Sequence, residues 1–226
     1  MAELHRAKAA EMQARSFIVE NTALLAPPLV PEIKLHLATE VVALWRKTEE
    51  ELEAEGVPPP YWAFAWAGGQ ALARYVLDHP DVVRGKAVLD FGSGSGLVAI
   101  AAMRAGAKNV LAADVDAFAL AAIELNASAN EVTVVSTGED IIGRNSTWQT
   151  ILIGDMCYER PLAQRLLDWL SSCRSAGATV LLGDPGRSYF PRDGIERLAT
   201  YRVRTTRELE DREIRETGVY RLTEPS

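Results

Sequence analysis

The stretch Ala87-Val88-Leu89-Asp90-Phe91-Gly92-Ser93-Gly94-Ser95-Gly96 decides the fold. It opens as a short apolar run, closes in alternating glycines, and continues into the helix-compatible residues Leu97 to Arg104. A buried parallel strand, a tight turn and a helix start read this way. Glycines are required where a ligand approaches the backbone and a Cβ would clash. The amides at the helix start then favour a carboxylate or phosphate.

Spacing separates two ligand classes. A dinucleotide fingerprint runs G-x-G-x-x-G. Here the order is G-x-G-x-G, and Leu97 stands where that fingerprint needs its last glycine. An acid, Asp90, sits directly before the loop. A second apolar run, Asn109 to Ala113, ends at Asp114, eighteen positions after Gly96. An acid there suits a grip on ribose hydroxyls at the end of the next strand. Acids before the glycines and after the second strand form the pattern of an S-adenosylmethionine (SAM) site. The plain alternative is a structural turn flanked by two strand-end carboxylates.

With 226 residues the chain supports one sizeable core and an N-terminal extension. Hydrophobic residues make up 48% and charged residues 24%, as in a soluble globular protein. No apolar run is long enough to span a bilayer. Met1 to Arg15 mix charges without an apolar signal core, so a cytoplasmic, membrane-independent protein is expected. The net charge of −7 argues against a nucleic-acid surface and suits a basic or lysine-bearing partner. Cys157 and Cys173 form no cluster, and His5, His36 and His79 are scattered, so no metal site is expected.

Residues 1–57 read as a helical extension, with helices over Glu3–Glu20 and Glu40–Glu55. Between them a proline-broken loop offers Leu29 and Val30 as a plug or edge strand. Pro58-Pro59-Pro60 ends the second helix, and residues 58–226 form the main domain. Its opening, Tyr61-Trp62-Ala63-Phe64-Ala65-Trp66-Ala67-Gly68-Gly69-Gln70, is an aromatic plug, a cofactor lid, or both, with a helix from about Gln70 to Leu77. Strands are expected at Ala87–Phe91, Asn109–Asp114, Val132–Ser136, Thr150–Gly154 and Ala178–Gly183. Helices fall at about Gly96–Ala105, Ala117–Ala129, Pro161–Cys173 and Gly194–Leu198, with little helix between Gly138 and Trp148. This alternation predicts a doubly wound α/β sheet. Ala199–Arg207 and Glu213–Leu222 then read as a terminal antiparallel hairpin. The whole is a Rossmann-like, seven-stranded layout.

Ligands of such sheets sit beyond the carboxyl ends of the strands. There, Asp90, Gly92, Gly94 and Gly96 would serve the methionine part of the cofactor and Asp114 its ribose. Val115 would wall the adenine, Glu139 or Asp140 would accept from its amino group, and Ile141 would pack the ring. After the fourth strand, Asp155, Tyr158 and Glu159 reach the place where an acceptor meets the methyl group. The acids would orient a lysine, and Tyr158 would form one wall of its channel. Asp155 could instead cap the next helix, marked by Pro161. No histidine is placed to activate Cys157 as a nucleophile, so it reads as a packing residue. A small-molecule N-methyltransferase and a non-catalytic SAM-binding module remain alternatives.

The segments Asp90-Phe-Gly-Ser-Gly-Ser-Gly96 and Ala113-Asp-Val-Asp116, with Asn126, resemble class I SAM-dependent methyltransferases. Tyr61-Trp-Ala-Phe-Ala-Trp-Ala-Gly-Gly-Gln70 and Gly154-Asp-Met-Cys-Tyr-Glu159 resemble the family 16 protein-lysine methyltransferases, which carry an acid-x-x-Tyr motif after strand four. Among these the chain is most similar to the electron transfer flavoprotein β-subunit lysine methyltransferases, in a bacterial version, from about Pro59 onward. The resemblance implies SAM as cofactor and a protein partner in the flavoprotein β subunit; a monomer is expected. It also implies Trp66 near the cofactor, and Asp155 and Tyr158 as the acid-x-x-Tyr pair. Relatives often carry a bulkier aromatic where this chain has Cys157. Fold likeness to ribosomal-protein methyltransferases keeps a ribosomal substrate open.

Overall fold

A computed structural model of the chain describes residues 2–39, 59–145, 147–205 and 213–224. In chain order these hold α1 (Ala2–Asn21), β1 (Ala23–Leu25), β2 (Leu35–Leu37), α2 (Ala67–Asp78), β3 (Ala87–Phe91), α3 (Leu97–Arg104), β4 (Asn109–Ala113), α4 (Ala117–Ala129) and β5 (Val135–Thr137). Then come β6 (Thr150–Gly154), α5 (Arg160–Ser175), β7 (Thr179–Asp184), β8 (Ile195–Arg204) and β9 (Ile214–Leu222). The expected helix at Glu40–Glu55 and the 57/58 domain boundary lie outside the described residues.

Seven strands form one sheet in the order β5-β4-β3-β6-β7-β9-β8. The four pairings from β5 through β7 run parallel up to the β7–β9 junction, where the terminal hairpin turns antiparallel. Side chains on successive strand positions leave on opposite faces. Val88, Leu152, Leu181 and Val219 accordingly join one buried cluster with α2 and α3. Leu89, Ile151, Ile153, Val180 and Leu182 join the other, against Leu166 and Trp169 of α5. Burial on both faces is why these strands read as continuous apolar runs rather than alternating ones.

From β3 the chain winds to β4 and β5; from β6 it winds the other way to β7. The β3–β6 boundary is therefore the topological switch point, and a crevice opens beyond the carboxyl ends there. No helix among the described residues is long and apolar enough to cross a membrane.

Three local expectations are corrected. Gly194–Leu198 is not helical: residues from Ile195 start β8, which pairs with β9 from Leu222 onward. Its burial alternates from Ala199 to Arg204, after a register shift between Arg197 and Ala199, and Gly194, read as a helix start, has φ +67°. β5 begins at Val135 rather than Val132. In the N-terminal loop the strand is not Leu29–Val30 but the short β1, paired with β2. Val30 is a fully buried plug.

The N-terminal segment is docked by buried amides. Asn126 of α4 accepts from the His36 amide (2.7 Å) and donates to the Ser95 carbonyl of the glycine loop (2.8 Å). One turn on, Asn130 accepts from the Lys34 amide (3.1 Å) and donates to its carbonyl (2.6 Å). Residues four apart share a helix face, so this pair imitates a strand edge for β2. Nearby, Ala14 and Ile18 of α1 pack with Trp62, which stacks on Phe118 at 6.0 Å.

Candidate active site

A cavity of about 510 Å³ opens at the switch point. That lies within the roughly 300–1,000 Å³ range of small-ligand sites. Its wall brings together Gly92 and Gly94 of the loop, Asp114 and Val115 after β4, and Glu139 and Asp140 after β5. Asp155, Met156 and Tyr158 enter after β6, and Trp66 comes from the segment before α2.

The loop is rigid for identifiable reasons. The Gly92 and Ser93 amides both donate to the Ala113 carbonyl, at 2.9 and 3.2 Å. Gly92 has φ +65°, and a Cβ there would run into Met156. Asp90 is buried beneath the loop and does not face the cavity. Its Oδ2 accepts from the Ser93 hydroxyl (2.5 Å) and the Ala99 amide (3.0 Å), and burial pushes its carboxyl up to about 7. Asp90 thus shapes the turn from behind. Gly96 is likewise off the wall: it caps α3 with φ +80° and lets Ile123 approach closely.

Asp114 faces the cavity while its oxygens accept from the Gly94 (2.8 Å) and Asp116 (3.0 Å) amides. Each carboxylate oxygen has a second lone pair, so a hydroxyl can still be bound. Val115 is exposed on the rim. Asp140 is fixed by Arg165 at 2.8 Å, which holds its carboxyl below the usual range, and Glu139 pairs with Arg144 at 2.8 Å. Ile141 is buried in the core beside α5; the apolar side chain on the wall is its neighbour Ile142. Strand polarity alone did not fix which of two adjacent isoleucines turns inward.

At the end of the cavity beyond β6 three rings meet. Tyr61 lies 5.9 Å from both Trp66 and Tyr158, centroid to centroid. Trp66 is anchored by its indole N–H on the Tyr61 carbonyl at 2.9 Å. Burial raises the Tyr158 hydroxyl pKa, so it stays protonated at neutral pH. Asp155 sits behind the rings with φ +59°, a conformation Asp tolerates better than most residues. Its Oδ2 accepts from the Gly69 amide (2.8 Å) and its Oδ1 pairs with Arg187 (2.7 Å). Glu159 stands apart: it is exposed, precedes α5 as its cap residue and does not face the cavity. Cys157 is buried, and burial pushes its thiol up to about 12, which suits packing and not a nucleophile.

Two groups escaped the sequence reading. Gly68 lies where a Cβ would strike the Gly183 carbonyl and stand 2.6 Å from the Asp155 carboxylate, so only glycine lets α2 rest on the strand ends. Arg187 comes from the turn Asp184-Pro185-Gly186-Arg187, whose Pro-Gly pair was a readable turn signal.

The residues fit SAM. Backbone at Gly92 and Gly94 is open to close approach, a carboxylate waits after β4, and aromatic rings border the cavity beyond β6. A seven-strand sheet with its site at the switch point, a glycine loop after β3 and an acid after β4 defines a class I methyltransferase. Comparison with known proteins agrees. A family model described as ribosomal protein L11 methyltransferase (PrmA) matches residues 70–148. The electron transfer flavoprotein beta subunit lysine methyltransferase of Xenopus laevis is 48% identical over 78% of this chain and 72% of its own length. The Homo sapiens protein is 42% identical over 81% and 71%. Magnesium protoporphyrin IX methyltransferase of Synechocystis, solved with bound SAH, shares the fold at 15% identity and a TM-score of 0.51, over 69% of this chain and 81% of its own. The chain belongs to the electron transfer flavoprotein beta subunit lysine methyltransferase family.

Proposed function

We propose that this protein is a SAM-dependent protein-lysine N-methyltransferase acting on the electron transfer flavoprotein β subunit. The observation that carries the reading is the junction of two half-sites in one cavity: a glycine-loop and Asp114 end, and an aromatic end closed by Asp155 and Tyr158. Family membership supports the substrate. The net charge of −7 favours a lysine-bearing partner over nucleic acid. We take the working form to be a cytoplasmic monomer.

When bound, SAM supplies a sulfonium methyl whose C–S bond breaks, the electron pair returning to sulfur, as the amine lone pair forms the C–N bond. The chain's residues position and exclude water. Gly92 and Gly94 would hold the methionine part, Asp114 the ribose, and Val115, Ile142 and Asp140 the adenine. Tyr61, Trp66 and Tyr158 would enclose the acceptor side chain, desolvate it and align it for in-line attack. A lysine must first lose a proton, since its free pKa is about 10.4. Desolvation among rings helps, because burial disfavours the ammonium. The Tyr158 hydroxyl can accept a hydrogen bond from the amine, and the proton leaves through the open mouth to water.

The test is direct. Methyl-labelled SAM is mixed with the protein and purified electron transfer flavoprotein, and products are mapped by mass spectrometry. Methyl groups on β-subunit lysines are expected. An unlabelled flavoprotein would overturn the substrate; labelling of free amines or of a ribosomal protein instead would name the replacement.

A further inference from the structure

Arg187 sits where an incoming ammonium would bind. Its Nη2 and Nε lie 2.7 and 3.2 Å from Asp155 Oδ1, and its guanidinium carbon is 5.5 Å from the Trp66 ring centroid. The carboxylate and the aromatic face that a lysine would seek are therefore engaged by a cation of the protein itself. The turn is built to hold it there. Asp184 Oδ1 accepts from the Gly186 and Arg187 amides, both at 2.7 Å, and Gly186 has φ +89°. Both members of the pair line the cavity, with the Arg187 side chain 17% and the Asp155 side chain 9% exposed.

We propose that Arg187 is a positioning residue that neutralises Asp155 at the acceptor end, so that the lysine meets a closed ion pair and sheds its proton near neutral pH. This rests on the lysine methyltransferase reading above. A carboxylate within about 4–6 Å favours the charged form of an amine by 1–3 pH units, and a neighbouring cation opposes it. Without Arg187, Asp155 would hold the substrate well and hold it protonated. Other charged or titratable groups face the pair. Cys157 and Tyr158 follow β6, and Asp184 ends β7, while Glu159 reaches only Tyr158. Asp114 and Asp116 follow β4, and Tyr61 precedes α2. The second cation on the wall, Arg165, is paired with Asp140. Among the described residues the surroundings are thus acidic, and Arg187 brings a counter-charge to Asp155.

The experiment uses the full chain and two readouts. First, butylammonium, a lysine side-chain mimic, is titrated onto the protein with S-adenosylhomocysteine, followed by the Trp66 indole resonance. Arg187→Gln is expected to bind it about tenfold tighter than wild type at pH 7. Equal or weaker binding overturns the proposal. Second, pH profiles of flavoprotein methylation are compared, with SAM affinity counting folded sites. Arg187→Gln is expected to lower KM for the flavoprotein, drop kcat about tenfold at pH 7 and move its acidic limb up by about one unit. Arg187→Lys keeps the wild-type limb, and Asp155→Asn with Arg187→Gln moves it back. A pH-independent loss with raised KM means Arg187 is only structural. If wild type methylates no lysine, the function reading fails, and the butylammonium comparison decides this proposal by itself.

Discussion

Gly68 and Gly69 are adjacent, yet alanine should act on them with opposite sign. At Gly68 a Cβ would collide with the Gly183 carbonyl, which is sheet backbone, and stand 2.6 Å from Asp155 Oδ2. Neither neighbour is the loose end of a flexible side chain: Asp155 is held by the Gly69 amide and by Arg187. Overpacking of this kind costs about 1–3 kcal/mol. Weakening the charged Gly69–Asp155 hydrogen bond adds about 1–2 kcal/mol, and the gain of a better helix former returns about 1 kcal/mol. A net loss near 2 kcal/mol lowers Tm by roughly 4–8 °C for a domain this size. At Gly69 a Cβ meets nothing within 4 Å, so only the helix term remains, raising Tm by roughly 2–4 °C. Thermal melts of the two variants side by side, with SAM titration and turnover, test this. Gly68→Ala should also lose turnover beyond its loss of SAM affinity, because α2 pushes Asp155 away from the vestibule. Equal melting temperatures, or Gly68→Ala at or above wild type, would refute the account of α2 resting on the strand ends.

Other outcomes follow from the same geometry. Asn126→Ala strands the His36 amide and the Ser95 carbonyl, each costing about 1–3 kcal/mol when buried without a partner, so Tm should fall by roughly 5–10 °C. Amide exchange at residues 35–37 should quicken with it. Asp90 has its carboxyl raised by burial from 3.8 to about 7, so the folded state binds its proton more tightly than the unfolded chain. Its contribution is fully present below about pH 4 and is lost as pH rises through about 7. Denaturant melts from pH 4 to 8 should therefore show the stability gap between wild type and Asp90→Asn narrowing as pH rises; a gap that widens would reverse the sign.

The central sheet was legible because burial on two faces leaves an unbroken apolar record, as in Ile151-Leu152-Ile153. The glycine turn was legible because its spacing answers to a ligand. What stayed hidden depends on partners far along the chain. β1 and β2 are three residues each, too short for a periodic signal, and the β2 position is fixed by Asn126, ninety residues from His36. β8 alternates charge with apolar residues toward its end as an edge strand does, but Gly194 just before it imitates a helix start. Asp90 and Gly96 read as cofactor-binding residues, yet neither lines the cavity: one props the loop from below and the other packs against a helix.

The acceptor end shows the same limit in its chemistry. A strand-end acid followed by a tyrosine reads as a lysine grip, and taken alone the motif implies a carboxylate free to meet an ammonium. The fold adds a second acid on the next strand. Asp184 spends one oxygen on two amides of its own turn, and burial raises it to about 7. Two neighbouring buried carboxylates repel, and the turn built by one delivers Arg187 to the other. Acid, turn and cation therefore form one device assembled from residues 155 and 184–187. Its effect on an amine is opposite to what the acid by itself would have, because charge balance at a site is a property of the strands that meet there and not of the motif on any one of them.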